Sequence, residues 1–124
     1  MVFAQVFKRD GSFKLEVKDL KGTLKVSVNL AFTDKVANSC IGGDWKEITI
    51  ATIDSIDESY FPIKQELSYL VTYQRLIIGR NGRCDSYLHL NGLLAPNDIS
   101  GDYTAFGLDH QKLLGHFTIN RVKQ

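Results

Sequence analysis

The sequence predicts an all-β chain, an antiparallel up-and-down barrel of about eight strands forming a single domain over 1–124. Three observations predict it. Short runs of alternating apolar and polar residues fill most of the chain, polar turn signals separate them, and glycines fall within or beside the runs. Alternation at period two marks a strand with one face buried and one face wet. A run of consecutive antiparallel strands leaves two open edges unless the sheet closes on itself, and about eight strands close naturally. Glycine inside a strand marks a bend or bulge, which a coiled barrel needs, and Gly92, Gly101, Gly107 and Gly115 supply it.

The elements follow in order. The run 2–9, VFAQVFKR, reads as a first strand, and Asp10-Gly11 as the tight turn after it, because that turn needs positive φ angles. In SFKLEVKDL, Phe13, Leu15 and Val17 alternate with charged or polar residues. Lys21-Gly22 turns the chain into TLKVSVNLAF, where Leu24, Val26, Val28, Leu30 and Phe32 face one way. Residues 33–44 read as a loop, and WKEITIATI resumes an extended pattern with Ile48 and Ile50 on one face. DSIDESYFP breaks it, and Asp57, Glu58 and Pro62 could cap at most one short helix around 55–66.

The stretch 63–78 fits a helical period through Ile63, Leu67, Leu70, Val71 and Ile78, or a strand rich in Tyr, Thr, Val and Ile. Asn81-Gly82 is a strong hairpin signal, and a hairpin needs a strand on both sides, so the reading is one strand over about 67–79 with CDSYLHLNGLL returning. APNDIS is a loop, and GDYTAFG, the turn LDHQK and LLGHFTINRV form the last hairpin. In its final strand Phe117, Ile119 and Arg121 share a face, with Arg121 expected near a barrel end.

Composition bounds the function classes. A chain of 124 residues can bury a core without metal or disulfides. With 15 basic and 14 acidic residues the net charge is +1, which argues against a nucleic-acid partner. No apolar run approaches the roughly 18 residues of a membrane-spanning helix. The start lacks the charge order of a secretory signal, which favours the cytoplasm, or secretion if Met1 replaces a removed signal. Cys40 and Cys84 make no zinc motif and read as reduced thiols, whereas a disulfide between them would imply an oxidising compartment.

Chemistry-bearing patterns are scarce. No GxSxG elbow, P-loop, HExxH or dinucleotide-binding glycine run occurs, so no catalytic residue, metal or cofactor is assigned. Asp109-His110 reads as a solvated turn, His89 as a half-exposed residue or a pocket base, and Asp54, Asp57 and Glu58 as a solvated helix start. At period two, Tyr69, Val71, Tyr73 and Arg75 share one face of the 67–79 strand. Tyrosine gives an apolar body with a hydroxyl, and arginine a fork for carboxylate or phosphate. With Tyr103, Phe117 and Arg121 they form a candidate ligand-binding set, though such residues also populate the outer face of any sheet.

The ending SGDYTAFGLDHQKLLGHFTINR resembles the last hairpin of calycin-type barrels, the lipocalin and avidin group. The resemblance rests on a Gly-x-aromatic strand, a short turn, and a G-x-F-x-x-x-R strand, here Gly115, Phe117 and Arg121. It implies that Arg121 lies over a tryptophan at the barrel floor. The single tryptophan is Trp45, in GGDW, after three strands rather than before the first.

The leading functional expectation is a non-enzymatic barrel holding an apolar or amphipathic small molecule inside. The alternative is a protein-interaction module, of inhibitor or immunity type, with a filled barrel and an exposed patch such as Tyr60-Phe61. The second alternative is an enzyme using a barrel cavity, with His89 or a carboxylate as base.

Overall fold

The computed structural model describes residues 10–37, 43–61, 67–72, 74–80, 87–95, 98–106 and 111–122, with the backbone alone for Arg80 and Tyr87. Eight strands form a closed antiparallel barrel in sequence order: β1 Phe13–Asp19, β2 Leu24–Val36, β3 Lys46–Ile56, β4 Leu67–Val71, β5 Arg75–Arg80, β6 Tyr87–Leu93, β7 Asp98–Phe106 and β8 Gln111–Arg121. The ring closes where β1 pairs with β8, from Phe13↔Arg121 to Asp19↔Gly115. Among the described residues there is no helix, and so none long and apolar enough to cross a membrane.

The alternation seen in sequence decides which side chains go in. Phe13, Leu15 and Val17 of β1, Val26, Val28, Leu30 and Phe32 of β2, and Phe117 and Ile119 of β8 are buried together in one core. Burial of such side chains contributes roughly 1.5–3 kcal/mol each. The turn after β1 is held by Asp19, whose carboxylate accepts from the amides of Lys21 and Thr23, each at 2.9 Å, while Gly22 takes φ 86°. Gly92 pairs with Gly101 across β6 and β7, and a Cβ built on Gly101 would lie 2.1 Å from the Asn91 carbonyl oxygen. Only a hydrogen fits there, so the close approach of the two strands requires glycine.

Several boundaries differ from the sequence reading. The run 2–9 lies outside the described residues, and β8 closes onto β1 without it. β2 continues through Val36, which pairs with Lys46, so the loop starts later than residue 33. Thr33 lies in that extension and donates its hydroxyl to the Glu47 carbonyl at 2.9 Å. β7 begins at Asp98, inside the stretch read as a loop.

The largest correction is at 67–79, which is two strands and not one. The chain reverses between Val71 and Arg75, where the Thr72 amide donates to the Arg75 carbonyl at 3.0 Å. β4 then pairs with β5 from Leu67↔Arg80 to Val71↔Leu76. The reversal lets Leu67, Tyr69, Leu76 and Ile78 all reach the core. The Asn81-Gly82 turn lies outside the described residues, but β5 and β6 pair antiparallel on either side of it, from Gly79↔His89 to Arg75↔Leu93.

The segment 57–61 is a turn that crosses one end of the barrel. The Asp57 carbonyl accepts from the amides of Tyr60 at 3.0 Å and Phe61 at 2.9 Å, and the Asp57 carboxylate accepts from the Ser59 amide and hydroxyl. Tyr60-Phe61, expected from the sequence as a possible exposed patch, is instead a plug at that end. Phe61 is buried, and the Tyr60 hydroxyl donates to the Leu114 carbonyl at 2.7 Å.

Candidate functional site

The six residues singled out from sequence separate into different environments. Tyr69, Tyr103 and Phe117 are inside, all buried. The Tyr69 hydroxyl donates to the Thr33 carbonyl and the Tyr103 hydroxyl to the Tyr60 carbonyl, both at 2.6 Å. Their rings pack on protein: Tyr69 edge-on to Phe32 at 4.9 Å, and Tyr103 against Tyr60 and Phe61 at 5.2 and 5.3 Å. Arg75 is outside. The chain reversal takes it off the Tyr69 face, and its guanidinium donates to Asn91 Oδ1 at 3.1 Å on the exposed surface. Tyr73 lies outside the described residues.

Arg121 closes one end of the barrel. Its guanidinium lies over the Phe13 ring at 4.6 Å and donates to the Asp10 carbonyl. The expected partner, Trp45, is elsewhere. Cross-strand pairing sets Phe13 directly opposite Arg121, so the β1 ring is the aromatic surface within reach.

The interior is filled on most of its circumference. Leu15, Val17, Val26, Val28, Leu30, Leu76, Tyr103 and Ile119 have no accessible surface at all. A void large enough for water would expose the side chains that line it, so none touches these. The exception is β3. It pairs with β4 only at Lys46↔Tyr69 and Glu47↔Ser68. From Ile48 to Ile56 its described partner is β2 alone. Ile53 sits opposite the inward-facing Val28, yet it is 52% exposed. Ile48, Ile50 and Ile56 on the same inner row are only partly buried. Thr49 and residues 51–55 are exposed. β3 therefore carries an exposed row that includes Ile53, with Ile48, Ile50 and Ile56 partly buried along it.

Two bulges shape this strand. Ala51 is extra between Thr52, which pairs with Asn29, and Ile50, which pairs with Leu30; Asp54 is extra between Ser55 and Ile53. Asp54 sits 2.9 Å from Lys14, and hydrogen bonding to that ammonium holds its carboxyl below the usual carboxylate range. Hydrogen bonds from Ser59 do the same for Asp57. The acids of DSIDES thus serve the wall and the plug.

A second cluster, on the outer face of the barrel, was not legible in the sequence. Trp45 is 3% exposed although it points away from the core, and Ser68 beside it is 1% exposed. The Trp45 ring lies 6.3 Å from His89, which lies 5.1 Å from Phe106. His89 leans over the bare backbone of Gly79, where an added Cβ would come 3.0 Å from the imidazole. Burial pushes the pKa of the His89 imidazole down to about 4. His89 is thus a half-buried ring facing away from the interior.

Concavities lined by described residues include two on the outside of the barrel. A groove of about 300 Å³ lies outside β7 and β8, between Leu93, Leu94, Asp98, Ser100, Thr118 and Asn120. A shallower one of about 80 Å³ lies along Lys18 and His116, where His116 pairs with Asp102 at 3.0 Å on the surface. No group of three or more metal-ligating side chains occurs among the described residues.

Compared with protein-family models, with curated proteins and with solved structures, the chain matches none.

Proposed function

We propose that the protein is a non-catalytic protein-interaction module whose barrel is filled by its own side chains and whose contact surface is the exposed isoleucine row of β3. The observation that carries this reading is Ile53: an inward-directed apolar side chain, 52% exposed, on a strand whose outer edge has no described partner from Ile48 onward. An exposed apolar row of this kind offers a partner's side chains a surface to bury. The interior supports the same reading, because its aromatic residues spend their rings and hydroxyls on each other and on the backbone.

The calycin-like resemblance belongs to this proposal. Gly115, Phe117 and Arg121 of β8 carry it, with Arg121 over Phe13 at the barrel end. In this reading the chain is a calycin-like barrel that has exchanged an internal ligand for an internal core.

The test is site-specific photo-crosslinking in cells, with the photoreactive residue at Thr49 or, as a control on the exposed β8 surface, at Lys112. A discrete protein adduct from position 49 and none from position 112 is expected. A native mass spectrum in which the purified chain carries a stoichiometric apolar small molecule, together with no adduct at position 49, would instead support an interior ligand.

A further inference from the structure

The turn between β1 and β2 displays apolar side chains among cations at one end of the barrel. Leu20, directly after β1, is 59% exposed, and Leu24 and Leu113 are exposed as well. Leu24 pairs with Lys18. Asp19 pairs with Gly115, so Lys112 and Leu113 of β8 come to the same end as the turn. Lys18, Lys21 and Lys112 are exposed there. No salt bridge holds these three among the described residues, whereas Lys14, Lys25, Lys35 and Lys46 each have an acidic partner. We propose that this end of the barrel docks on an anionic lipid membrane, with Leu20 entering the interface and the three lysines meeting the lipid headgroups. The proposal stands on residues other than the isoleucine row.

The turn is ordered before anything binds. Besides the bonds from Lys21 and Thr23 to the Asp19 carboxylate, the Asp19 amide donates to the Thr23 carbonyl and the Gly22 amide to the Asp19 carbonyl, both at 2.9 Å. Little ordering therefore remains to be done on docking. The turn also stands clear of the barrel, since a Cβ built on Gly22 would meet no atom within 4 Å. A protruding leucine suits a soft lipid interface, whereas a protein partner would have to supply a matching pocket for it. Lysine suits the same place, because its stem can lie along apolar surface while its ammonium reaches the headgroups. The carboxylates nearby are committed, Asp19 to the turn amides and Asp57 to Ser59 and Lys25. The whole chain carries a net charge of only +1, so the attraction has to be local. Binding should therefore need the leucines and the lysines together, as reversible membrane contacts built from two weak signals do.

The experiment is co-sedimentation with vesicles of phosphatidylcholine alone and of phosphatidylcholine with about one-third phosphatidylserine. The chain should pellet with the anionic vesicles and not with the neutral ones. Raising the salt to about 1 M, where screening acts over about 3 Å, should release it. Leu20→Asn should weaken the partitioning about tenfold through lost apolar burial. Lys21→Glu, which turns an attraction into a repulsion, should weaken it by about tenfold or more. Leu93→Asn alters a leucine that is 57% exposed toward the Arg121 end, and should bind like the parent. All three positions are exposed, and equal melting temperatures would show that the fold is intact. A parent chain that stays in the supernatant with anionic vesicles at low salt would overturn the proposal. So would a Leu20→Asn variant that binds like the parent, which would reduce the contact to charge alone. Retention on immobilised polyglutamate by a chain that ignores both vesicles would assign this surface to an acidic protein and overturn the membrane reading.

Discussion

The Tyr60 hydroxyl occupies the space where a side chain on Gly115 would begin: a Cβ built there would lie 2.2 Å from the Tyr60 oxygen and 2.1 Å from the Lys18 carbonyl oxygen. The plug, the first strand and the last strand meet at this point, and a single hydrogen is what allows it. Tyr60 then reaches the Leu114 carbonyl, and Tyr103 anchors the plug through the Tyr60 carbonyl.

Gly115→Ala should therefore cost more than an ordinary strand substitution. One of the two clashing atoms is backbone and cannot rotate away. Overpacking of this kind costs typically about 1–3 kcal/mol, and this site should reach the upper end. Tyr60→Phe removes only a hydrogen bond and should cost about 1 kcal/mol. Thermal unfolding of the two variants checks the order; a Gly115→Ala protein as stable as the parent would contradict the packing at the plug.

Arg121→Ala should lower stability through loss of the contact with Phe13, by about 0.5–2 kcal/mol. Native Trp45 emission should stay unchanged, because the guanidinium lies over Phe13 and Trp45 packs with His89. A shift of the folded-state emission maximum in this variant would place the arginine nearer the tryptophan than found.

The His89 environment predicts a pH dependence of defined sign. The unfolded chain binds a proton on this imidazole below about 6.5, and the folded chain does so only near about 4. Stability from this group is thus complete above the unfolded value, falls as pH drops through the window between the two, and levels off below the folded value. A shift of this size corresponds to about 3 kcal/mol, and partial exposure of the ring reduces that to roughly 1–2 kcal/mol. Asp54 and Asp57, held below their usual range, lose their contributions only at lower pH, so the two windows separate. Denaturant titrations from pH 7 to pH 4 should show this slope, and His89→Gln should flatten it.

The barrel is legible in the sequence where strands are wet on one side. β1, β2 and β8 alternate cleanly, and period two alone identifies their inward residues. The break between Val71 and Arg75 is not legible, because LVTYQRL carries no Gly, Pro, Asn or Asp to mark a turn. Strand pairing enforces that reversal, and local propensity does not. A total of about eight strands agrees with the barrel, but for a partly different set: the sequence reading counts the run 2–9 and merges β4 with β5. The site is less legible. Tyr69 and Arg75 share a face only if the chain runs straight between them. The resemblance ties Trp45 to Arg121, whereas its position just before β3 sets it against the outer faces of β5 and β6. The exposure of Ile53 depends on how the strands pair around the ring, which no local pattern reports.

The central claim is that β3 presents an exposed row at Ile53 where, among the described residues, β2 is its only strand partner beyond Glu47. Residue-resolved amide hydrogen exchange tests it most directly. Between Ile48 and Ile56 the account predicts alternation: amides bonded to β2 are slow, and those directed away from β2 exchange orders of magnitude faster. Amides of β1, flanked by β2 and β8, should be slow throughout. Uniform protection of β3 equal to that of β1 would contradict that claim.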